Sequence, residues 1–500
     1  MVRVLARAVA VVALLLTAIA PSAGTAQQAT NNAAPEREQL SISSAKATEA
    51  WTGDLDGMID RRVIRVLTAY SRTFYSVDKG VQRGGTYDIF QQFDRDLNSR
   101  LAKESKLKNK NLKVNLVFIP VKRDQLLPAL AAGKGDIAAA NLTVTDDRLK
   151  LVDFSTPLYP DVSEVVVSGP GEPVMAKPED LSGKTVCVRR SSSYYESLIE
   201  LNKRLDGMRL PPVTVKLAPE NLESEDLIEM VNAGLIPLTV IDKHIATFWK
   251  QVFPNIVLHD QAALRTNANI AWAIRKDSPL LKAAVDDFVS RHGKGTAVGN
   301  AIFAKYLKNT KYVKDATSEQ ERKKFLQLVD YFKKYGSQYN VDWLLMAAQG
   351  YQESQLNQQA RSRVGAIGVM QVMPATAKDL KVGDITQIEP NIHAGVKYMR
   401  WMIDQYYGRE PMTQLDKALF AFASYNAGAG RISQLRREAA KRGVDPNVWF
   451  RNVEYVVADK IGAETVTYVG NIYKYYIAYS LVSETRAQRE RAEEPLSKAK

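Results

Sequence analysis

Chemistry in this 500-residue chain converges on Glu353. It stands in "VDWLLMAAQGYQES", where Trp343, Leu344, Ala347 and Tyr351 recur at three- and four-residue spacing; that pattern predicts an amphipathic helix with Glu353 in its last turn. The helix dipole there disfavours an anion by roughly 0.3–1 kcal/mol, and an apolar cleft favours the protonated form as well. A carboxyl that keeps its proton near neutral pH is what protonation of a glycosidic oxygen requires. Most glutamates at helix ends are exposed and inert, so the surroundings must decide. "VGAIGVMQVMP" at 364–374 is too apolar for a surface loop, and Gly365 and Gly368 in it point to a close backbone approach. Gln371 and Met373 alternate with Val372 and so face another side from it. "FASYNAG" ends a further helix, with Asn426 and Gly428 as stop signals and Tyr425 and Asn426 able to reach the same cleft.

On these motifs residues 325–485 resemble the soluble-lytic-transglycosylase catalytic domain, which has a lysozyme-like fold. "ES" at Glu353 and Ser354 matches the catalytic acid, and "GVMQ" at 368–371 follows at the family spacing, with Ser362 ahead and Met373 behind. "SYN" at 424–426 stands where the family usually has "AYN", and "ETVTYV" at 464–469 supplies the late Glu464 and Tyr468. Val369 replaces a more usual leucine, and Gln358 takes the place of a frequent proline; neither change touches the chemistry. The resemblance implies that Glu353 is catalytic and that Ser362, Gln371, Met373, Tyr425, Asn426, Glu464 and Tyr468 hold substrate. It also explains the lack of a second carboxylate, which most glycosidases need. In this family one glutamate protonates the oxygen between N-acetylmuramic acid and N-acetylglucosamine, then deprotonates the muramyl C6 hydroxyl. A 1,6-anhydro ring closes without water, the work of a lytic exotransglycosylase on peptidoglycan strands. No cofactor is implied.

The elements ahead of that domain have another texture. "VIRVLTA", "LKVNLVFIPV", "DIAAANLTV", "EVVVSG", "KTVCVRR", "LIPLTVID" and "ANIAWAIRK" are candidate strands, separated by amphipathic helices such as "YDIFQQFDRDLNSRLAKES" and "SYYESLIELNKRL". This alternation predicts an α/β domain with mainly parallel sheets. "LLPALAAGKGDIAAANLTVTDDRLKLVDFSTPLY" and "DLSGKTVCVRRSSSYYESL" resemble the two-lobed periplasmic amino-acid-binding proteins. The resemblance implies a carboxylate site at Thr145 and Arg148, a second-lobe entry at Ser192, an amine-binding acid at Asp242 and a covering aromatic at Tyr75. The expected ligand is an amino acid or a wall-derived muropeptide. Arg148 could equally form a surface ion pair, and Asp242 could cap a helix.

The expected fold is thus multidomain: an α/β periplasmic-binding-protein module at 59–310, with its second lobe at about 161–257, and a mainly α lysozyme-like domain at 325–485. Residues 27–58 read as a flexible linker, 311–324 as a charged linker and 486–500 as a charged tail. Residues 1–26 combine two arginines, an apolar run and small residues, the pattern of a secretory signal; a membrane anchor is the alternative. No cysteine lies near the cleavage region, which argues against a lipoprotein; the signal predicts export to the periplasm, and peripheral association with the outer membrane stays open. The one cysteine, Cys187, allows no internal disulfide and reads as a small core residue.

The formal charge is +13, or +11 once Arg3 and Arg7 leave with the signal, which suits an acidic polymer. Basic residues lack the aromatic interleaving of a nucleic-acid groove, so nucleic acid is not expected. His244, His259, His292 and His393 are not at metal-ligand spacing, so no metal is expected either. Two other readings stay open here: a periplasmic sensor whose helical domain only anchors to the wall, and a water-using muramidase of the same fold.

Overall fold

The computed structural model describes residues 47–480 apart from 79, 80, 108, 110, 221, 311–318 and 478. The signal reading, most of the linker at 27–58, the core of the linker at 311–324 and the charged tail therefore lie outside the described residues. The strands are β1 Val63–Thr68, β2 Ser76–Asp78, β3 Val81–Arg83, β4 Asn115–Pro120, β5 Ile137–Thr143 and β6 Asp153–Phe154. They continue with β7 Tyr159–Ser168, β8 Thr185–Arg189, β9 Thr214–Ala218, β10 Leu238–Asp242, β11 Val257–His259 and β12 Arg265–Ile274. β1 and β4 are buried along nearly their whole length, the mark of strands covered on both faces by helices.

The main sheet runs in the order β10-β7-β12-β5-β1-β4. It is mixed, which corrects the expectation of mainly parallel pairing. β1 lies parallel to β4 and β5, but β12 is antiparallel to β5 and β7, and β10 is antiparallel to β7. The reason is topological. β7 carries the chain out to the second lobe and β12 brings it back, so the two must run in opposite directions. The second lobe keeps its own parallel pair, β8 with β9, and its own core around Val166, Leu198, Ile241 and Trp249. Cys187 is buried in that core, as its sequence context predicts. In the first lobe Phe90 stacks on Trp272 at 4.0 Å between the sheet and the helix Gly85–Lys103.

The end of the segment read as flexible is packed. Leu55 and Met58 are buried in the helix Leu55–Arg61. Arg65 donates to the carbonyls of Glu49 at 2.5 Å and Trp51 at 3.2 Å, and Arg275 donates to that of Gly53 at 2.7 Å. The ring of Trp51 carries the Arg61 guanidinium at 3.6 Å. A composition rich in alanine and polar residues hid two apolar side chains and a backbone that buried arginines hold.

The second half is helical, beginning with Glu319–Tyr339, which starts inside the segment read as a linker. Trp343–Ser354, Pro374–Leu380, Ile388–Tyr406, Gln414–Ala427, Ala429–Lys441 and Glu454–Ile461 follow, with a last helix at 463–477. The helices enclose Phe332, Met346, Met370, Phe420, Trp449 and Val469. This domain touches the first lobe: Arg62 pairs with Glu454 at 2.6 Å and Asn111 donates to the Ala458 carbonyl at 3.1 Å.

Candidate active site and the binding cleft

Glu353 lies in the last turn of Trp343–Ser354, as the periodicity predicts. Asp342 caps the start of this helix by accepting from the Leu344 amide at 2.9 Å, and Gln355 ends it in the left-handed region. Tyr468, from the helix at 463–477, donates its hydroxyl to Glu353 Oε1 at 2.5 Å. Burial pushes the Glu353 carboxyl up to about 7 against the opposing pull of that hydrogen bond, with no charged neighbour among the causes.

The glycine-punctuated loop forms the adjoining wall. Ser354 Oγ donates to the Val369 carbonyl at 2.9 Å, tying the loop to the acid's own helix. Ser362 Oγ accepts from the Ala366 amide at 2.9 Å, and the Gln371 side-chain amide donates to the Gly368 carbonyl at 2.8 Å. Tyr425 donates to the Met370 carbonyl at 2.8 Å, and its own ionisation is opposed by burial first and by Glu353 second. Asn426 Oδ1 accepts from Thr465 at 2.7 Å, which links the "SYN" turn to the helix that carries Tyr468. Met373 is exposed on the rim, and Glu464 is exposed one turn before Tyr468. Ser362, Gln371 and Tyr425 therefore shape the wall, while Tyr468 bonds the acid directly.

Three contributors lie outside the residues to which the resemblance assigns a role. Asn391, fully buried, accepts from the Met370 amide at 2.9 Å and donates to the carbonyls of Ile367 at 2.7 Å and Ile385 at 3.1 Å. Gln358 holds the same loop, accepting from the Val369 amide at 3.3 Å and donating to Ile385 at 3.0 Å. An exposed Trp401 stacks on Tyr398, which meets Tyr425 edge-on at 5.5 Å. The spacing of Tyr398 and Trp401 in "YMRWMIDQYY" is the one signal that could have found the last. Gly368 has φ +78°, and a Cβ there would fall 2.5 Å from Asn391 Nδ2. Gly368→Ala is therefore expected to lower domain stability by at least the ~1–2 kcal/mol of left-handed strain, measurable by urea denaturation.

The module's cleft encloses a cavity of about 260 Å³ whose walls include Phe74, Arg123, Arg148, Ser192 and Glu223. Arg148 donates to the carbonyls of Thr143 at 2.8 Å and Ser191 at 2.9 Å, so it bridges the lobes. Arg123 grips Glu223 at 2.8 Å, Arg72 pairs with Glu229 at 2.7 Å and Ser71 donates to Glu225 at 2.9 Å. Ser192 caps the helix Ser193–Gly207 and donates to the Arg189 carbonyl at 2.7 Å.

Three implied ligand residues are placed elsewhere. Tyr75 is fully buried, stacked on Phe118 at 5.1 Å and bonded to Gln82, whereas its neighbour Phe74 lines the cavity wall, as does Tyr194. Thr145 caps the helix Asp146–Leu151. Asp242 lies behind Asn141, whose amide donates to Asp242 Oδ2 at 2.6 Å; burial lifts this carboxyl to about 7. Tyr75 and Thr145 satisfy a core and a capping need within the first lobe, whereas Asp242 of the second lobe is held across the cleft by Asn141 of the first.

Comparison with known proteins agrees with this division. Residues 330–447 match the Transglycosylase SLT domain, and residues 72–309 match bacterial extracellular solute-binding proteins, family 3. Tyr468 lies beyond the first match. A membrane-bound lytic murein transglycosylase F from Desulfosudis oleivorans is 30% identical over 83% of this chain and 89% of its own length. One from Pseudomonas fluorescens is 28% identical over 86% of this chain and 87% of its own. The solved structure of an ancestral arginine-binding protein bound to arginine is 24% identical, covering 49% of this chain and 97% of that one with a TM-score of 0.38. With the acid helix, its glycine-bounded wall and the two-lobed module in this order, the chain belongs to the membrane-bound lytic murein transglycosylase F family.

Proposed function

We propose that the chain is a peptidoglycan lytic transglycosylase in which Glu353 performs both proton transfers, behind a solute-binding module that regulates it. The observation that carries this reading is a half-buried carboxyl at a helix exit, pushed up to about 7 and steadied by one tyrosine. The Glu353 proton goes to the oxygen between N-acetylmuramic acid and N-acetylglucosamine as the muramyl C1–O bond breaks. The carboxylate then takes the proton of the muramyl C6 hydroxyl, whose oxygen closes on C1. Glu353 ends protonated, and no water enters. Tyr425, Asn426, Gln371, Met373, Ser362 and Glu464 position the sugars. Mass spectrometry of a wall digest tests the reaction: 1,6-anhydro ends support it, and reducing ends would make the enzyme a muramidase.

The acid must be protonated before bond cleavage, so the rate on soluble glycan strands is expected to fall as pH rises through about 7. Tyr468→Phe removes a bond that favours the anion and should move that fall to higher pH, an outcome read from initial rates between mildly acidic and mildly alkaline buffers.

The module takes an amino acid or a wall-derived peptide, with Arg148 as the carboxylate partner. A ligand changes cleavage only as far as it prefers one lobe arrangement, typically about 5–150-fold. The route to the catalytic domain runs through the first lobe, where Arg62 meets Glu454. Titrating such ligands against wall cleavage by wild type and Arg148→Ala tests the coupling; equal rates with and without a ligand that calorimetry shows to bind would reduce the module to a tether. Export by residues 1–26 delivers the enzyme to the periplasm, where it rests peripherally on the outer membrane. No helix among the described residues is long and apolar enough to cross a membrane.

A further inference from the structure

We infer that Gln349 is a positioning residue that decides which oxygen of Glu353 carries the catalytic proton. The inference rests on the assignment of Glu353 as the acid. Gln349 lies one helical turn before Glu353, on the same face of Trp343–Ser354, and is fully buried. Its Nε2 donates to the Tyr468 hydroxyl oxygen at 3.2 Å, and Tyr468 donates in turn to Glu353 Oε1 at 2.5 Å. A phenol has one proton to give. Because the amide occupies the tyrosine as an acceptor, that proton is committed to Glu353 Oε1. The acid's own proton is thereby excluded from Oε1 and must sit on Oε2, from which it passes to the glycosidic oxygen.

The other half of the amide points the same way. Gln349 Oε1 is buried with no hydrogen-bond partner among the described residues. An unpaired buried acceptor is unfavourable, and an apolar side chain of the same size would avoid the loss. Stability alone therefore gives no reason for glutamine here, whereas control of the tyrosine's polarity does. Without the amide, Tyr468 can turn its hydroxyl and accept from Glu353, which parks the proton on Oε1, the oxygen that faces the tyrosine. The amide also polarises the phenol and strengthens its bond to the carboxylate.

The titratable groups that face Glu353 are Tyr468 and Tyr425, and burial holds both phenols well above their ordinary range, so neither titrates near neutral pH. Any displacement of the alkaline limb of the rate profile therefore reports on Glu353 itself.

The test uses the full chain on soluble, uncross-linked glycan strands, counting 1,6-anhydro ends by mass spectrometry. Gln349→Met keeps the volume and removes the donor. Its kcat is expected to fall roughly tenfold, part of the ~10²–10⁴ that a positioned acid contributes. KM should stay unchanged, and the alkaline limb should move to higher pH. In a Tyr468→Phe background the same substitution should move the limb no further. Gln349→Leu replaces it if the methionine variant does not fold, as judged by circular dichroism. A lower kcat with the limb unmoved would make Gln349 merely structural and overturn the inference, as would an equal shift in the Tyr468→Phe background. Cleavage surviving in Glu353→Gln would instead remove the acid assignment, so the two failures are distinguishable.

Discussion

Glu353→Gln is expected to abolish wall cleavage while leaving the fold intact. The amide keeps the volume and can still accept from Tyr468, whose hydroxyl lies 2.5 Å from Glu353 Oε1. What it loses is the transferable proton. One acid–base group is typically worth ~10²–10⁴ in rate, and here one residue fills both roles in sequence, so the loss should lie at the upper end of that range or beyond. Among the described residues no carboxylate contributes to the Glu353 shift. Rates of 1,6-anhydro product release from purified walls, with circular dichroism on the same preparation, decide the matter. A folded variant that keeps more than about a tenth of wild-type activity would contradict the assignment of Glu353.

Asp136→Ala is expected to cost the module roughly 3–5 kcal/mol. Asp136 is fully buried immediately before β5 and accepts from the Arg65 amide at 2.7 Å. It pairs with the guanidiniums of Arg65 at 3.0 Å and Arg275 at 3.2 Å, and with Arg61 as well. The alanine variant leaves Arg65 and Arg275 buried without their counter-charge, and the desolvation they already suffer is no longer offset. Those arginines also hold the carbonyls of Trp51 and Gly53, so the segment before the helix Leu55–Arg61 should detach with them. Since domains are stable by only about 5–15 kcal/mol, the loss is a large share of the whole. Urea unfolding followed by tryptophan fluorescence, to which Trp51 under Arg61 contributes, reads the change. A shift under about 1 kcal/mol would show that the arginines find other partners or reach water.

Much of the catalytic site is legible in the amino-acid sequence. Helical spacing puts Glu353 in a last turn, and Gly365 and Gly368 announce a backbone held close to something. Alternating strands and helices announce an α/β module. These features are local, because period, caps and φ preferences depend on a few neighbouring residues. Choices between neighbours that share a face or a turn are not local in this way. Tyr75 and Phe74 are adjacent in sequence, yet only packing against Phe118 sends the tyrosine inward and leaves the phenylalanine on the cleft. Asp242 reads as an available carboxylate until Asn141 is found covering it. The sheet is mixed because two long strands must pass between lobes in opposite directions, a constraint on the path of the whole chain. The chain Gln349–Tyr468–Glu353 joins residues more than a hundred positions apart. The sequence by itself determined the helix that carries Glu353 and the glycine-bounded loop beside it; tertiary packing alone decided which distant hydroxyl meets that carboxyl, because such meetings depend on how helices stack and on no property of either segment alone.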